Sequence, residues 1–445
     1  MPKKFVFIGA GSLQFTRELV RDILTFPAFQ DATIALVDIN EDNLALVKKA
    51  IDHIVTAGKY PAKVIATTDR KTVLEGADGV LTTIRMADDD RPLKAEILIP
   101  AKYGVHTCVG DTRGPYAVMR YLRTIPAIMD IVRDIEKYCP KAIYLNYTNP
   151  MAMLCRTVQG LSSITASGLC HSVQKTVTQL AGWIGAPEEE ITYLCAGINH
   201  QAHYLKFDWN GEDANPLIRQ AILTRPEIYN EEIVRNEMFL ALGYYVTESS
   251  GHNSEYNWWF RKRPELIEQY CHPGTGWNPG FSQTEENINN RTSRYTPEGR
   301  KREFDKWMAE PLDLDRGLEY AAYIFNACFG DGTLFEFNGN VRNFNLIDNL
   351  PYGCCVEIPV EASRAGLRSI RVGALPPQLS ALNTINAQCE EMAVEAYLTG
   401  DPEKIYFANC FDPLTASVLS LQEIRSMTRE MIAAMMDWLP IKHNI

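Results

Sequence analysis

No run of apolar residues in this 445-residue chain approaches the ~18 that a membrane-spanning helix needs, so no membrane partner is expected. The opening MPKKFVFIGAGS is basic at its start, but the apolar run behind it is too short for a secretory signal and reads as a strand. A basic block is also missing. Lys and Arg number 44 against 55 Asp and Glu, a formal charge of −11, and the densest basic stretch, TPEGRKREFDK, is mixed in sign. No nucleic-acid partner is expected from such a chain. The 11 cysteines are odd in number and include no CxxC pair. They read as reduced thiols of a cytoplasmic protein, with the adjacent Cys354 and Cys355 as buried strand residues. Internal repeats and low-complexity tracts are absent. What remains is 46% hydrophobic and 22% charged, a globular composition long enough for one large domain or two.

Short apolar runs of strand type recur through the first 170 residues: KFVFIGA (4–10), ATIALVDIN (32–40), VIATTD (64–69), GVLTTIR (79–85), AIYLNYTNP (142–150) and SITASGLC (163–170). Helical patterns lie between them, among them LQFTRELVRDIL and a long one within 116–138. Strands alternating with helices predict an α/β fold, a Rossmann-type doubly wound parallel sheet of the lactate/malate dehydrogenase kind, over residues 1–190. The texture then changes. ITYLCAGINHQAHYLKFDW looks like strands, and long helical and irregular stretches rich in aromatics follow, with a loop at CHPGTGWNPGFSQ (271–283). Residues 191–445 read as an α+β substrate domain.

Gly9-Ala10-Gly11 follows the first strand, Ser12 opens the next helix, and Asp38 ends the second strand. A tight turn that lets backbone approach a pyrophosphate, a helix N-terminus and an acid for ribose hydroxyls predict dinucleotide binding. Gln14 stands where a third glycine is usual. Asp38 would repel a ribose phosphate, which favours NAD over NADP.

Cys170 and His171 end a strand on the side where open α/β sheets bind ligands. GINHQAH, thirty residues on, offers His200 and His203, and Asn149 follows another strand. Thiolate and imidazole together can hold a transition metal with positions open to substrate oxygens. Cysteine is equally an ordinary core residue, and spacing alone does not choose between His200 and His203. An ordinary hydroxy-acid dehydrogenase is a rival reading, though it would need no such metal ligands.

FIGAGS, LVDI, GDTRGP, NYTNPM, GLCHSV, GINH and NLIDNLPYGCCVEIP occur in the order they have in family 4 glycoside hydrolases. The resemblance runs over nearly the whole chain and is nearest to the α-galactosidases of that family. It implies a glycosidase that depends on NAD and Mn²⁺, outside the usual two-carboxylate scheme. In that family the nicotinamide oxidises the sugar C3 hydroxyl and a base removes the C2 proton. The glycosidic oxygen is then eliminated, water adds, and the same cofactor reduces C3 again.

Carried over by motif, Cys170 and His200 are the metal ligands and Asn149 contacts substrate. His171 either donates the proton to the leaving oxygen or holds a sugar hydroxyl. Tyr256, in SEYNWWF, is the base, and Asp111, in GDTRGP, helps to activate it, with aromatic packing and a turn or cap as their respective alternatives. The metal site would also accept Co²⁺, Ni²⁺ or Fe²⁺. Cys-His-Ser-Val resembles the α-galactosidase branch, and the small, neutral Ser172 suits a neutral hexose. No arginine cluster for a sugar phosphate stands out; Arg91 alone lies in a plausible region. α-Glucosidase, α-glucuronidase or α-galacturonidase activity remains the alternative within the family. The resemblance implies a homodimer or homotetramer.

Overall fold

The computed structural model describes residues 2–86 and 90–441. Nine strands form its main sheet. Six are parallel: β1 (Lys4–Ile8), β2 (Thr33–Val37), β3 (Lys63–Thr67), β4 (Gly79–Thr82), β5 (Ile143–Asn146) and β6 (Thr165–Leu169), in the spatial order β3-β2-β1-β4-β5-β6. That is the doubly wound dinucleotide-binding order. Each strand is shorter than its apolar run, because the run continues into the turn behind the carboxyl end.

The central strands β1, β2, β4 and β5 are largely apolar because both their faces are covered, whereas the edge strand β3 is open to solvent. Side chains alternate between two cores with the strand period of two. Phe5, Phe7, Ile34, Leu36, Leu81 and Leu145 pack with the helices Leu13–Leu24, Glu41–Ala57 and Tyr320–Phe329. Val6, Ile8, Ala35, Val37, Val80 and Tyr144 pack with the helix Gly114–Tyr138 on the other face. Each fully buried Phe, Ile or Leu contributes about 1.5–3 kcal/mol of transfer free energy.

Beyond residue 190 the chain first builds a small antiparallel sheet from β7 (Ile191–Ala196), β8 (His203–Trp209) and β9 (Glu212–Asp213). It later returns to the first sheet. β10 (Phe335–Arg342) pairs antiparallel with β6, and β11 (Cys355–Ser363) and β12 (Gly366–Ser369) extend the edge. β6 itself, TASGL, is only weakly apolar. Gly168 explains its close packing: a Cβ there would lie 2.4 Å from both Cys155 Sγ and Met151 Sδ on the helix Met151–Leu161. The helices Pro377–Thr399, Glu403–Phe411 and Leu421–Met435 bury Val394, Ile405, Met427 and Met431 in the same core as the helix Gly114–Tyr138. Among the described residues, no helix is long and apolar enough to cross a membrane.

Candidate active site

The carboxyl ends of the parallel strands carry the chemistry. Behind β1, Gly9 takes φ +84°, open to glycine at little cost, and a Cβ on it would lie 2.8 Å from the Ile84 backbone. The Gly11 N–H donates to Asp38 Oδ2 at 2.7 Å, and the Asn40 N–H donates to Oδ1 at 2.9 Å. Asp38 is thus held at the end of β2 by backbone donors. Ser12 opens the helix Leu13–Leu24, and its hydroxyl makes no capping bond. Gly11 has no room for a side chain, since its Cβ would meet Asp38 Oδ2 at 2.6 Å. Glycine turn, fixed acid and helix N-terminus fit a dinucleotide pyrophosphate and ribose.

Cys170 follows β6 directly. Its Sγ lies 3.2 Å from His200 Nε2 and accepts from the Ser172 N–H at 3.4 Å. His200 does not sit on a strand. β7 ends at Ala196, and the turn that follows puts His200 at φ +63°, left-handed for a residue with a side chain. Thr112 Oγ1 at 2.8 Å and the Tyr256 hydroxyl at 3.4 Å face its Nδ1, which leaves Nε2 turned towards the cysteine. Hydrogen bonding of one imidazole nitrogen while the other faces a ligand position is the usual support for a metal-binding histidine. His203 goes elsewhere: it is wholly buried on β8, outside the cluster.

The third member of the cluster is Glu248, which sequence reasoning missed. Its Oε2 is 3.7 Å from His200 Nε2, and the ligand atoms of Cys170, His200 and Glu248 all lie within 4.8 Å of one another. Glu248 too is left-handed, at φ +71°. Two non-glycine residues in that region cost about 1–3 kcal/mol each, and such strain gathers at functional sites. His252 was missed as well. It lies one turn along from Glu248, its Nδ1 3.3 Å from Glu248 Oε1 and its Nε2 3.5 Å from Asp111 Oδ1. The only sequence signal was the i, i+4 spacing of Glu248 and His252 within ESSGHNSE. One sulfur, one imidazole and one carboxylate make a donor set that fits a divalent first-row metal.

Electrostatics tie the cluster together. Burial pulls the His200 imidazole down to about 4, so it stays neutral and able to ligate. Burial pushes the Cys170 thiol well up, with the Glu248 charge acting in the same sense, so thiolate formation here requires a cation. For His252, burial is outweighed by Glu248 and Asp111, which raise it to about 9. Burial disfavours the Asp111 carboxylate, yet His252 holds it well below the usual range. Asp111 therefore sits ionised beside an imidazolium and accepts from Asn149 Nδ2 at 3.1 Å.

Tyr256 is wholly buried, with the Arg113 guanidinium 4.8 Å from its ring centroid. Arg113 is itself paired with Glu390 at 2.9 Å and donates to the Asn199 carbonyl. His171 has its Nδ1 3.6 Å from Glu319, and it also feels the charge of Glu248 in the cluster. Burial lowers the His171 imidazole and raises the Glu319 carboxyl to about 7.

A second group of residues was not legible as a cluster in the sequence. Arg85, Arg120 and Arg291 come from three separate segments and line one small cavity together with Tyr116, Thr148 and Asn149. Arg123 also lines it but forms a buried bidentate pair with Glu96 at 2.6 and 3.1 Å. Arg91 is not among the lining residues; its guanidinium lies 5.1 Å from the Trp438 ring.

The fold and the site define a dinucleotide-binding α/β protein that carries a thiol–imidazole–carboxylate cluster at the ligand-binding edge of its sheet. Comparison with known sequences is specific about which. Residues 4–185 match the family 4 glycosyl hydrolase model and residues 195–415 its C-terminal domain, and the chain belongs to that family. An α-galactosidase of Rhizobium meliloti (strain 1021) is 35% identical over 446 residues, 98% of this chain and 89% of its own. One of Bacillus subtilis (strain 168) is 34% identical over 440 residues, 98% of this chain and 99% of its own. Among solved structures, a 6-phospho-α-glucosidase from gut microorganisms, in complex with NAD and Mn²⁺, shares the fold. Its TM-score is 0.78 at 18% identity, over 99% of this chain and 100% of its own.

Proposed function

We propose that this protein hydrolyses terminal α-galactosides of the melibiose type, with NAD and Mn²⁺, by oxidation, elimination, addition and reduction. The observation that carries the reading is the 3.2 Å approach of Cys170 Sγ to His200 Nε2, with Glu248 alongside, at the carboxyl edge of a dinucleotide-type sheet. The sequence likeness to two α-galactosidases supports the sugar. Gly9, Gly11, Ser12 and Asp38 would hold NAD; Cys170, His200 and Glu248 would hold the metal. Bound together, these groups supply reversible oxidation at C3 and polarisation of the sugar oxygens.

The remaining work falls to side chains. Asn149 and Asp111 hold sugar hydroxyls. The Tyr256 phenolate oxygen takes the C2 proton and becomes the phenol, with Arg113 against its ring to favour the phenolate beforehand. His171, with Glu319 3.6 Å from its Nδ1, delivers a proton to the glycosidic oxygen. We place the protein in a reducing, cytoplasmic setting, in keeping with its free thiols, as a homodimer or homotetramer.

Purified protein given a chromogenic α-galactoside, Mn²⁺, thiol and catalytic NAD should release galactose without net NADH. No release, or net NADH, would overturn the reading. One observation favours a second reading: Arg85, Arg120 and Arg291 beside Asn149 suit a sugar carboxylate, hence an α-galacturonide. Running both substrates side by side decides between them. Gly11→Ala should leave the fold intact but weaken NAD binding at least about tenfold, about 1.4 kcal/mol, because the new Cβ displaces the Asp38 carboxylate. Fluorescence titration with NAD measures this.

A further inference from the structure

Behind the cluster, on β11, lies a carboxyl that the chemistry above does not use. Glu357 is wholly buried. Its Oε1 accepts long bonds from Asn199 Nδ2 at 3.5 Å and Asn340 Nδ2 at 3.4 Å, and its Oε2 has no partner among the described residues. The described residues give it no ion pair either. The groups that face it are the thiols of Cys155, Cys170, Cys195 and Cys355, the Tyr320 phenol, the Glu248 carboxyl and a single cation, Arg113, which is paired to Glu390.

Glu357 is also tied to both segments that bring up the candidate ligands. Its backbone exchanges hydrogen bonds with Gly197, three residues before His200, at 3.0 and 2.9 Å. Asn340 Nδ2, its side-chain donor, also reaches the Gly168 carbonyl, two residues before Cys170, at 3.3 Å. An ionised carboxylate so placed is an unpaired buried charge, which the interior strongly disfavours.

We propose that Glu357 is a positioning residue that acts as the metal's outer counter-charge, holding a proton before a divalent cation binds at Cys170 and His200 and releasing it to solvent on binding. This rests on the metal site proposed above. Burial, the dominant influence, sets the carboxyl at about 7. With Glu248 ionised throughout, binding a divalent cation and losing the Cys170 proton would add one positive charge to the site, which favours the ionised Glu357 carboxylate behind it. By reciprocity, the ionised carboxylate strengthens cation binding. The sign follows: above neutral pH the charge is present and affinity gains; towards pH 5.5 the proton stays on and the gain vanishes.

Calorimetric titration of the full chain with Mn²⁺, in buffers of different ionisation enthalpy, tests this on wild type, Glu357→Gln and Cys170→Ser. Wild type should bind Mn²⁺ about tenfold more tightly than Glu357→Gln at pH 8 and equally at pH 5.5, a one-unit shift of the carboxyl. Near pH 6.5 it should release about half a proton more. The two proteins tracking each other at every pH, while Cys170→Ser loses Mn²⁺, would overturn the role of Glu357 alone. Mn²⁺ binding undiminished in Cys170→Ser would overturn the metal site and this inference with it. Should Glu357→Gln not fold, infrared difference spectra of wild type on Mn²⁺ addition serve instead. Loss of a protonated-carboxyl band is expected, and its persistence would overturn the proposal.

Discussion

Cys170→Ser is expected to lower α-galactoside turnover by at least about a thousandfold, roughly 4 kcal/mol of transition-state stabilisation. The thiol ends β6 and points at His200 Nε2 from 3.2 Å, with Glu248 completing the trio. Serine keeps the size class but replaces a soft donor by a hard one with a far higher pKa. NAD affinity should be unchanged, because Gly9, Gly11 and Asp38 sit at the ends of β1 and β2, on other strands. Mn²⁺ binding followed beside NAD binding separates a ligand from a core residue. Near-normal activity in the variant would return Cys170 to the core.

Tyr256→Phe should reduce turnover by about 10²–10⁴-fold, the range for loss of a general base. In heavy water the wild type should place deuterium at C2 of the released sugar, and the variant should lose that exchange while still binding NAD and Mn²⁺. The structure states the difficulty such a base faces. The Tyr256 phenol is wholly buried, and burial, joined by the Glu255 charge, pushes it well above 10. Arg113 over the ring works the other way, held there by Glu390 and the Asn199 carbonyl. C2 labelling that persists in Tyr256→Phe would assign the proton to another group.

Much of the architecture could be read before any coordinates. The central parallel strands follow from apolar runs, since the part of a sheet covered on both faces needs apolar side chains at successive positions and needs them over only four or five residues. The helix LQFTRELVRDIL was legible to the residue because its apolar positions recur at helical spacing. β10 to β12 were not assigned to the first sheet, because which edge a strand joins depends on contacts across more than 160 residues of sequence, such as Gly339 with Leu169.

The candidate site divides in the same way. Motifs marked Cys170, His200, Asp111, Asn149 and Tyr256 as residues, and the structure brings Asp111, Asn149, Cys170, His200 and Tyr256 around one centre. His171, beside Cys170 in the chain, lies past the end of β6 at the start of the next helix and has its Nδ1 3.6 Å from Glu319.

The sequence by itself determined the doubly wound sheet, the glycine turn with its acid, and the residue types of a metal-like cluster. These depend on local period, turn chemistry and spacing, which a linear string carries. Only the tertiary structure supplied Glu248 and His252, gathered Arg85, Arg120 and Arg291 around one cavity, and buried Glu357 without an ion pair among the described residues. Such charges act over a few ångströms in space, where the low dielectric of the interior gives them their force, and the chain order does not record those distances.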